Sequence, residues 1–236
     1  MKAVIMAGGF GSRLKPLTDN IPKPMLPILN KPILQYTIER LKFYGVTEIA
    51  MTLNYKPESI VDYFGDGSNF GVNLTYFYEN EPLGTAGSIK NASSFLEDTF
   101  LVLSGDAFTN LNFEQLWQFH MQKGAKVSLF AKYVEDCRPF GMLSVDDDNK
   151  ITSFLEKPLQ KVSGIVNTGI YVMQKEVLDL IPNGFYDFSK NLFPQILNQM
   201  FAFEGDYYWS DIGTLPQYYI TNFDYVTTPK QFNFII

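Results

Sequence analysis

The first 130 or so residues alternate strand-like runs with helical segments, and no other feature restricts the fold as strongly. Runs rich in apolar and β-branched residues predict strands at Lys2–Met6, Glu48–Leu53, Asn73–Tyr78, Phe100–Leu103 and Val127–Lys132. Apolar spacing predicts helices between several of them, at Pro32–Tyr44, Thr85–Leu96 and Phe113–Lys123. Such alternation indicates an α/β chain with a mainly parallel sheet covered by helices on both faces. We therefore expect ligands at the carboxyl ends of the strands.

The second half of the chain predicts short strands and then helices. The strands are expected at Phe140–Val145, Ile151–Leu155 and Val166–Val172, and the helices at Lys175–Leu180, Ser189–Phe201 and Leu215–Tyr225. No linker or repeat separates these elements from the first half, so they should extend the first sheet and make it mixed. We predict one domain over residues 1–225, with parts at 1–134 and 135–225. The tail at 226–236 carries Phe232, Phe234 and Ile236, and it either packs on the body or begins a longer polypeptide.

Cysteine and histidine usage narrows the function classes. A single cysteine, Cys137, and a single histidine, His120, cannot form a disulfide framework or a two-histidine metal cluster. The apolar run Ala3–Ala7 is too short for a signal-peptide core, and no stretch approaches the roughly 20 apolar residues of a membrane span. These features predict a soluble, cytoplasmic protein without a membrane partner.

Charge is distributed unevenly along the chain, whose formal net charge is −6. The first 42 residues contain seven Lys or Arg residues against only Asp19 and Glu39, so the remainder is strongly acidic. An acidic body with a basic N-terminal stretch is poorly suited to bind nucleic acid but suits a pocket for a small polyanion. Segregation of charge by chance is the alternative interpretation.

A glycine-rich segment directly follows the first predicted strand. It reads Gly8-Gly9-Phe10-Gly11-Ser12-Arg13-Leu14, and Lys23 follows within Pro22–Pro24. Glycines let backbone N–H groups approach phosphate oxygens, and Arg13 and Lys23 add positive charge. The segment lacks the Walker spacing, and Leu14 stands where a dinucleotide fingerprint needs its third glycine. A tight turn without a ligand remains the alternative, although it leaves the two cations unexplained.

Six ordered blocks make the chain resemble sugar-1-phosphate nucleotidylyltransferases over nearly its whole length. Among them the sequence is closest to mannose-1-phosphate guanylyltransferase-like proteins. The blocks are Gly8–Leu14 with Pro16–Thr18 and Pro22–Met25, Leu83–Gly87, Gly105-Asp106, Phe154–Pro158, Asn167–Tyr171 and Trp209–Thr214. The resemblance implies the Rossmann-like nucleotide-diphospho-sugar transferase fold. It also implies that a sugar 1-phosphate attacks the α-phosphorus of a nucleoside triphosphate, with Mg²⁺ as cofactor, giving a nucleotide sugar and pyrophosphate.

The resemblance also assigns roles to individual residues. The catalytic set is Arg13, Lys23, Asp106, Lys157 and Asp211, of which Asp106 and Asp211 would hold the metal. The nucleotide-binding set is Ala7, Gly8, Gly9, Gly11, Ser12, Arg13, Lys23, Glu79, Gly84 and Thr85. The set that binds the sugar phosphate is Gly141, Glu156, Lys157, Asn167 and Thr168.

Several of these residues also have plain structural interpretations. Asp106 follows a predicted strand through Ser104-Gly105, which places it at the ligand edge of the sheet, but it could instead cap a turn, and Asp211 could cap a helix. The pair Glu156-Lys157 could be a surface ion pair before Pro158. Asn167 and Thr168 could simply be polar residues at a strand edge.

Base choice depends on Glu79. Guanine presents two adjacent donors that one carboxylate can accept, which favours GTP with mannose 1-phosphate and GDP-mannose as product. Glu79 as a solvated loop charge is the alternative, with glucose 1-phosphate and UTP, dTTP or ATP as the competing substrates. A non-catalytic sugar-nucleotide sensor and, more weakly, a nicotinamide-dependent dehydrogenase are the alternatives of other classes. Family relatives often associate, so a homo-oligomer is an open expectation. We assign no catalytic role to His120 or Cys137.

Overall fold

The computed structural model describes residues 1–232, which form helices and strands in the following order. They are β1 (Lys2–Met6), β2 (Pro27–Ile28), β3 (Lys31–Pro32), α1 (Ile33–Phe43), β4 (Glu48–Leu53), α2 (Pro57–Phe64), β5 (Asn73–Tyr78), α3 (Gly84–Asn91), β6 (Thr99–Ser104), β7 (Ala107–Thr109), α4 (Phe113–Lys123), β8 (Val127–Val134), β9 (Gly141–Val145), β10 (Ile151–Glu156), β11 (Gly164–Gln174), α5 (Phe193–Ile196), β12 (Met200–Glu204), β13 (Trp209–Asp211) and α6 (Leu215–Thr227).

The chain divides into two compact units. Of the described residues, unit 1 comprises 1–82, 103–111 and 207–232, and unit 2 comprises 83–102 and 112–206. Each unit therefore draws on both of the parts expected from the sequence, and the single domain over 1–225 stays a prediction. None of the helices within residues 1–232 combines the length and apolarity needed to cross a bilayer.

Unit 1 contains a parallel sheet built from β1, β4 and β5. Strand β1 pairs with β4 from Lys2 opposite Glu48 to Met6 opposite Thr52, and β4 continues to β5. The bounds of all three strands match the sequence prediction. The apolar run inside β1 is fully buried, as expected for a strand covered on both faces.

Helix α1 follows from its apolar spacing. Ile33, Leu34, Ile38 and Leu41 are fully buried on one face. The helix ends at Phe43, and Gly45 then adopts the left-handed φ of 73° that terminates many helices. The apolar spacing in the sequence thus predicts the buried face of this helix, and it predicts the end of the helix to within about one residue.

The last segment of unit 1 returns to its interior. Strand β13 pairs antiparallel with β7, which places Asp211 opposite Ala107. Phe232 is buried, and its ring lies 5.3 Å from that of Phe108 and 5.0 Å from that of Tyr208. The other two apolar tail residues noted above, Phe234 and Ile236, lie outside the described residues.

Unit 2 is organised around β8. Strand β12 pairs parallel with β8, β11 pairs antiparallel with its other edge, and β9 and β10 follow beyond β11. The strands predicted in the second half of the sequence thus extend the sheet that contains β8. An irregularity in β11 between Asn167 and Tyr171 interrupts the ladder, and Gly169 has a φ of 79° there.

Two helix predictions in unit 2 are wrong in extent. The helix expected at 189–201 is a series of short turns that ends at Gln199, and Met200 begins β12. Met200 and Ala202 alternate with partly exposed neighbours, so the strand period prevails over an apolar pattern that also fits a helix. Helix α3 ends at Asn91 rather than 96, where Ser93 and Ser94 favour turns.

Candidate active site

The glycine-rich loop after β1 is held tightly at two points in unit 1. The N–H of Ala7 donates to the Thr52 carbonyl at 3.0 Å, and a Cβ on Gly8 would lie 3.2 Å from Asn54. Gly11 has a φ of 62°, and its Cβ would lie 3.0 Å from the Thr18 methyl group. Gly11 is therefore required by conformation and space.

Beyond these contacts, the loop presents its other predicted residues to solvent. Gly9, Ser12 and Arg13 are exposed, whereas Leu14 is fully buried and anchors the turn in an apolar cluster of unit 1. This arrangement leaves the basic side chain and the glycine backbone accessible while the loop itself is fixed.

Lys23 is a buried cation in unit 1. It begins a short 3₁₀ turn, Lys23–Met25, and only 8% of the residue is exposed. Its ammonium donates to Asp106 and, at 3.3 Å, to Asp211. Burial alone would lower the pKa of Lys23, but the two carboxylates raise it above its ordinary value, so the side chain is charged.

Asp106 is positioned by the turn that follows β6. The N–H of Gly105 donates to the Met6 carbonyl at 2.9 Å, and a Cβ on Gly105 would lie 2.9 Å from that same oxygen. The Ser104 hydroxyl donates to Asp106 Oδ1 at 2.5 Å. Burial tends to raise the pKa of the Asp106 carboxyl, but Lys23 and Ser104 outweigh it and hold this pKa below its usual range.

Asp211 ends β13 and lies beside Arg13. A Cβ on Gly213 would lie 3.2 Å from Asp211 Oδ2 and 3.3 Å from the Arg13 guanidinium, so both groups flank the same glycine. Burial and the Asp106 charge raise the pKa of the Asp211 carboxyl, although Lys23 and Arg13 act in the opposite direction.

The fold thus brings together four charged residues that are far apart in the sequence. Asp106 and Asp211 share Lys23, and Arg13 lies at the edge of the pair. Opposite charges held this close in a mostly buried place are costly to desolvate, and such clusters concentrate at functional sites.

Glu79 follows β5 in unit 1, and its backbone is fixed. Its N–H donates to the Leu53 carbonyl at 2.8 Å, and the Asn54 side-chain amide donates to the Glu79 carbonyl at 2.8 Å. The residue is half-buried. Its contact with a base stays a prediction.

The predicted nucleotide residues of unit 2 serve internal packing. Gly84 has a φ of 70°, and a Cβ there would lie 2.6 Å from the Tyr186 carbonyl oxygen. The Thr85 hydroxyl donates to Asp187 at 3.2 Å and accepts from the Phe188 N–H at 2.8 Å. These contacts account for both residues structurally, and a role in nucleotide binding stays a prediction.

Glu156 ends β10, and the charged group of Lys157, the next residue, pairs with it. Lys157 Nζ lies 3.3 Å from Glu156 Oε1, and 63% of the lysine side chain is exposed. Lys157 also has a φ of 51°, while its N–H donates to the Phe140 carbonyl at 2.9 Å. Such left-handed backbone at a non-glycine residue costs about 1–3 kcal/mol and is concentrated at functional sites.

The other predicted sugar-binding residues in unit 2 have internal partners. Gly141 leaves room for Phe154, whose ring would be 2.5 Å from a Cβ. Asn167 donates to the Tyr171 hydroxyl at 2.9 Å and accepts from the Gly169 N–H at 3.0 Å. Thr168 is buried and donates to the Phe130 carbonyl at 2.6 Å. Their contacts with a sugar stay predictions.

Comparison with known proteins assigns the family. The profile of the family described as Nucleotidyl transferase matches residues 2–228. The chain belongs to this family. A UTP–glucose-1-phosphate uridylyltransferase from Synechocystis is 38% identical over 93% of this chain and 62% of its own length. A mannose-1-phosphate guanyltransferase from Schizosaccharomyces pombe is 37% identical over 94% of this chain and 63% of its own length.

The chain spans about three fifths of the length of the curated nucleotidyl transferase relatives it matches. A solved structure agrees more completely: HddC from Yersinia pseudotuberculosis, complexed with GMP-PN, is 32% identical, with a TM-score of 0.84 over 95% of this chain and 99% of that chain. The expected fold class, a mixed and mostly parallel sheet flanked by helices, is confirmed.

In this nucleotidyl transferase, sequence reasoning missed the residues that support the charged cluster. Ser104 bonds directly to Asp106, and Gly213 makes room between Asp211 and Arg13. Each lies two positions from a predicted aspartate, and Gly213 lies inside the block Trp209–Thr214, so closeness in the sequence was the available signal. Asp187 accepts a hydrogen bond from the Thr85 hydroxyl. No motif pointed to Asp187, because this contact joins segments that are far apart in the sequence.

The two residues set aside from the sequence are buried. His120 lies 3.0 Å from the Ser128 hydroxyl through Nδ1, and burial lowers its pKa to about 4. Burial raises the pKa of the Cys137 thiol, with Asp136 adding to the effect. A buried neutral ring and a buried thiol are typical of structural residues.

The carboxylates of unit 1 suit one metal ion. Within residues 1–232, no cluster of three or more His, Cys, Asp or Glu side chains could hold a metal. Two carboxylates alone match the way Mg²⁺ binds in phosphoryl-transfer sites, where phosphate oxygens and water complete the coordination. The donor set of Asp106 and Asp211 therefore fits Mg²⁺ bound together with a nucleotide.

Proposed function

We propose that this nucleotidyl transferase joins a nucleoside triphosphate to a sugar 1-phosphate and releases pyrophosphate. The substrate pair that we propose is GTP and mannose 1-phosphate. The observation that carries the proposal is the charged cluster of unit 1. Lys23 is buried against Asp106 and Asp211 and lies in the same unit as a glycine-rich loop with the exposed Arg13. A cluster of this kind suits a polyphosphate with a divalent cation.

The reaction needs no nucleophile from the protein. A phosphate oxygen of the sugar 1-phosphate forms a bond to the α-phosphorus of the triphosphate, and the bond from that phosphorus to the β-phosphate oxygen breaks. The nucleotide sugar keeps the α-phosphate, and pyrophosphate leaves with the bonding electrons. Catalysis then depends on holding two polyanions in line and neutralising their charge.

The chain's own residues can meet these requirements. The Lys23 ammonium remains charged and would neutralise the α-phosphate region, while the planar Arg13 guanidinium would bind oxygens of the leaving pyrophosphate. The loop Gly8–Ser12 would place backbone N–H groups against the triphosphate, whereas the N–H of Ala7 already donates to the Thr52 carbonyl. Asp106 and Asp211 would hold Mg²⁺, which supplies a Lewis acid and charge neutralisation when bound.

On the sugar side, Glu156 and Lys157 support the proposal best. Lys157 is exposed and would bind the phosphate, and Glu156 would accept hydrogen bonds from sugar hydroxyls. Asn167 and Gly141 are proposed as secondary contacts. For Thr168, the bond to Phe130 favours a structural role.

Three observations support a preference for GTP. One curated relative is named for guanylyl transfer, and HddC was crystallised with GMP-PN. Glu79 offers a carboxylate that could accept both N1–H and N2–H₂ of guanine. The competing reaction is uridylyl transfer to glucose 1-phosphate, because a relative named for that activity has similar identity. Cytoplasmic localisation belongs to the same proposal.

Pyrophosphate release tests the proposal directly. The protein is mixed with Mg²⁺, each of four nucleoside triphosphates and several sugar 1-phosphates. We expect release with GTP and mannose 1-phosphate to exceed that of other pairs by at least about tenfold. Release with UTP and glucose 1-phosphate instead would move the assignment to the uridylyl type. Binding without turnover across the panel would indicate a non-catalytic sensor.

Base selection is tested by Glu79→Gln. Removing one acceptor while adding a donor should lower kcat/KM for GTP about tenfold and for UTP much less. Glu81→Gln, in the same segment, is the matched control and should change neither value. Equal losses for GTP and UTP would remove Glu79 from base recognition.

A further inference from the structure

One face of α6 carries large apolar side chains in solvent. Tyr219, Ile220, Phe223 and Val226 are 64%, 50%, 66% and 57% exposed, respectively. Their spacing places them along one stripe of the helix. We call these four residues the α6 stripe. The helix buries Thr221 and packs other residues against the interior of unit 1, so it is apolar on two faces.

The α6 stripe carries no charge, although the chain has a net charge of −6. Asp224 is the only charged residue in α6, and its carboxylate accepts a hydrogen bond from the Tyr208 hydroxyl at 2.8 Å. Depletion of charged residues together with enrichment in aromatic residues is typical of the core of a protein–protein interface. Ordinary solvent-facing helices carry Lys and Glu there instead.

Leu29 is a further exposed apolar residue, in the turn between β2 and β3 that contacts α6. Its side chain is 48% exposed, and its φ of 53° is unusual for a leucine. The N–H of Leu29 donates to the Asn222 side chain at 3.0 Å, which fixes this turn on α6. A turn position of this conformation normally favours Gly or Asn, so an exposed leucine here indicates a use for its apolar surface.

We propose that a second copy of this chain covers the α6 stripe and Leu29 in a two-fold symmetric dimer. The five side chains expose roughly 600 Å² in each copy, so pairing them buries about 1,200 Å² in total. That value reaches the lower limit of stable interfaces. A two-fold contact pairs the stripe with itself, and an uncharged surface can do so without like-charge repulsion between two acidic chains.

Sedimentation equilibrium tests the proposal on the whole chain between about 1 and about 100 µM. We expect a dimer whose dissociation constant rises at least about 100-fold in Phe223→Glu, because the variant buries a carboxylate twice across the axis. Met121→Glu is the matched control, since Met121 lies on α4 and is 59% exposed. It should leave the dimer unchanged. Circular dichroism verifies that both variants are folded.

Cross-linking gives a second, independent measurement. Near a two-fold axis between helices, equivalent residues approach each other, so Ile220→Cys should form an intermolecular disulfide under mild oxidation. Met121→Cys should not. The native Cys137 is buried and does not compete.

Two outcomes would overturn the proposal. A wild-type chain that sediments as a monomer over the whole range, without cross-linking through residue 220, would leave the stripe to a different occupant, such as a further segment of a longer polypeptide. A dimer that persists unchanged in Phe223→Glu would place the interface elsewhere.

Discussion

The polar side chains predicted to form the site make different hydrogen bonds in the two units. In unit 1, the Lys23 ammonium donates to two carboxylates, so the charges of this cluster are paired with one another. In unit 2, Thr85 and Thr168 bond to neighbouring protein groups that hold segments of the fold together. Lys157 is the exception in unit 2, because its exposed ammonium contacts only the adjacent Glu156 among the ion pairs of the described residues.

This difference distinguishes residues that are available to a ligand from residues that stabilise the fold, which we call scaffold residues. A buried group whose hydrogen bonds are all to the protein must give them up to bind a ligand, at a cost of about 1–3 kcal/mol for each lost partner. A cluster of opposite charges already costs desolvation energy, which stability alone rarely justifies. We therefore expect substitutions in the charged cluster to change activity and substitutions of the satisfied groups to change stability.

The largest effect is expected from Asp106→Asn. The substitution removes one of two carboxylates that would hold Mg²⁺ and one partner of Lys23, so kcat should fall at least about 1,000-fold. Pyrophosphate release at saturating substrates gives kcat, and circular dichroism tests the fold. Asp62→Asn, on an exposed position of α2, is the control and should retain full activity. A near-normal kcat in Asp106→Asn would contradict the metal role.

A smaller and different effect is expected from Lys157→Met in unit 2. Loss of a charge-assisted bond to phosphate should raise KM for the sugar 1-phosphate about 10- to 100-fold, with a smaller change in kcat. The thermal midpoint should stay the same, because exposed ion pairs contribute little to stability. Kinetics at varied sugar phosphate measure the KM. Lys161→Met is the control, and an unchanged KM in Lys157→Met would place Lys157 among the scaffold residues.

The sequence predicted regular elements well where one period dominates. The strand Lys2–Met6 and the helix Phe113–Lys123 have the predicted bounds, because an unbroken apolar run or a 3.6-residue spacing excludes the other structure. The prediction was wrong at Met200 and Phe201, which were assigned to a helix but begin β12, because the apolar residues there fit both periods. Pairing with β8 decides between them, and pairing depends on residues distant in the sequence.

The same limit applies to the site. Charge and glycine content pointed to Arg13 and Lys23, and motif resemblance added Asp106 and Asp211, but the sequence contains no measure of how these groups meet. The hydrogen bond from the Thr168 hydroxyl to the Phe130 carbonyl could not be predicted, because it joins two strands whose register is set by the fold. A motif is therefore a less direct guide to ligand contacts when its polar side chains also bond to the backbone.

Among scaffold groups, His120 should make stability depend on pH. Burial disfavours the charged form of the ring, so it lowers the pKa of His120 from its ordinary value of about 6.5 to about 4 in the folded protein. Between these values the unfolded state binds the additional proton, so stability falls as pH falls. At pH 5 the loss should be about 2 kcal/mol relative to pH 7.

Urea unfolding at the two pH values measures this loss. In His120→Asn, the fall in the free energy of unfolding should be smaller by about 2 kcal/mol, since carboxylates contribute equally to both proteins and cancel. An identical fall in wild type and variant would show that the ring is not held neutral.

The smallest effect, and the sharpest test of the comparison, is expected from Thr168→Val. Valine preserves the shape but removes the hydroxyl that donates to the Phe130 carbonyl, so the free energy of unfolding should fall by about 1 kcal/mol. KM for the sugar 1-phosphate should change less than about twofold. Thr152→Val, which removes an exposed hydroxyl 3.2 Å from the Ser144 carbonyl, is the control and should change stability by less than about 0.5 kcal/mol. Urea unfolding and steady-state kinetics on the same preparations separate the structural role from a role in substrate binding. A tenfold rise in KM with unchanged stability would show that this buried, hydrogen-bonded hydroxyl also binds the substrate. The distinction between the two units would then fail at Thr168.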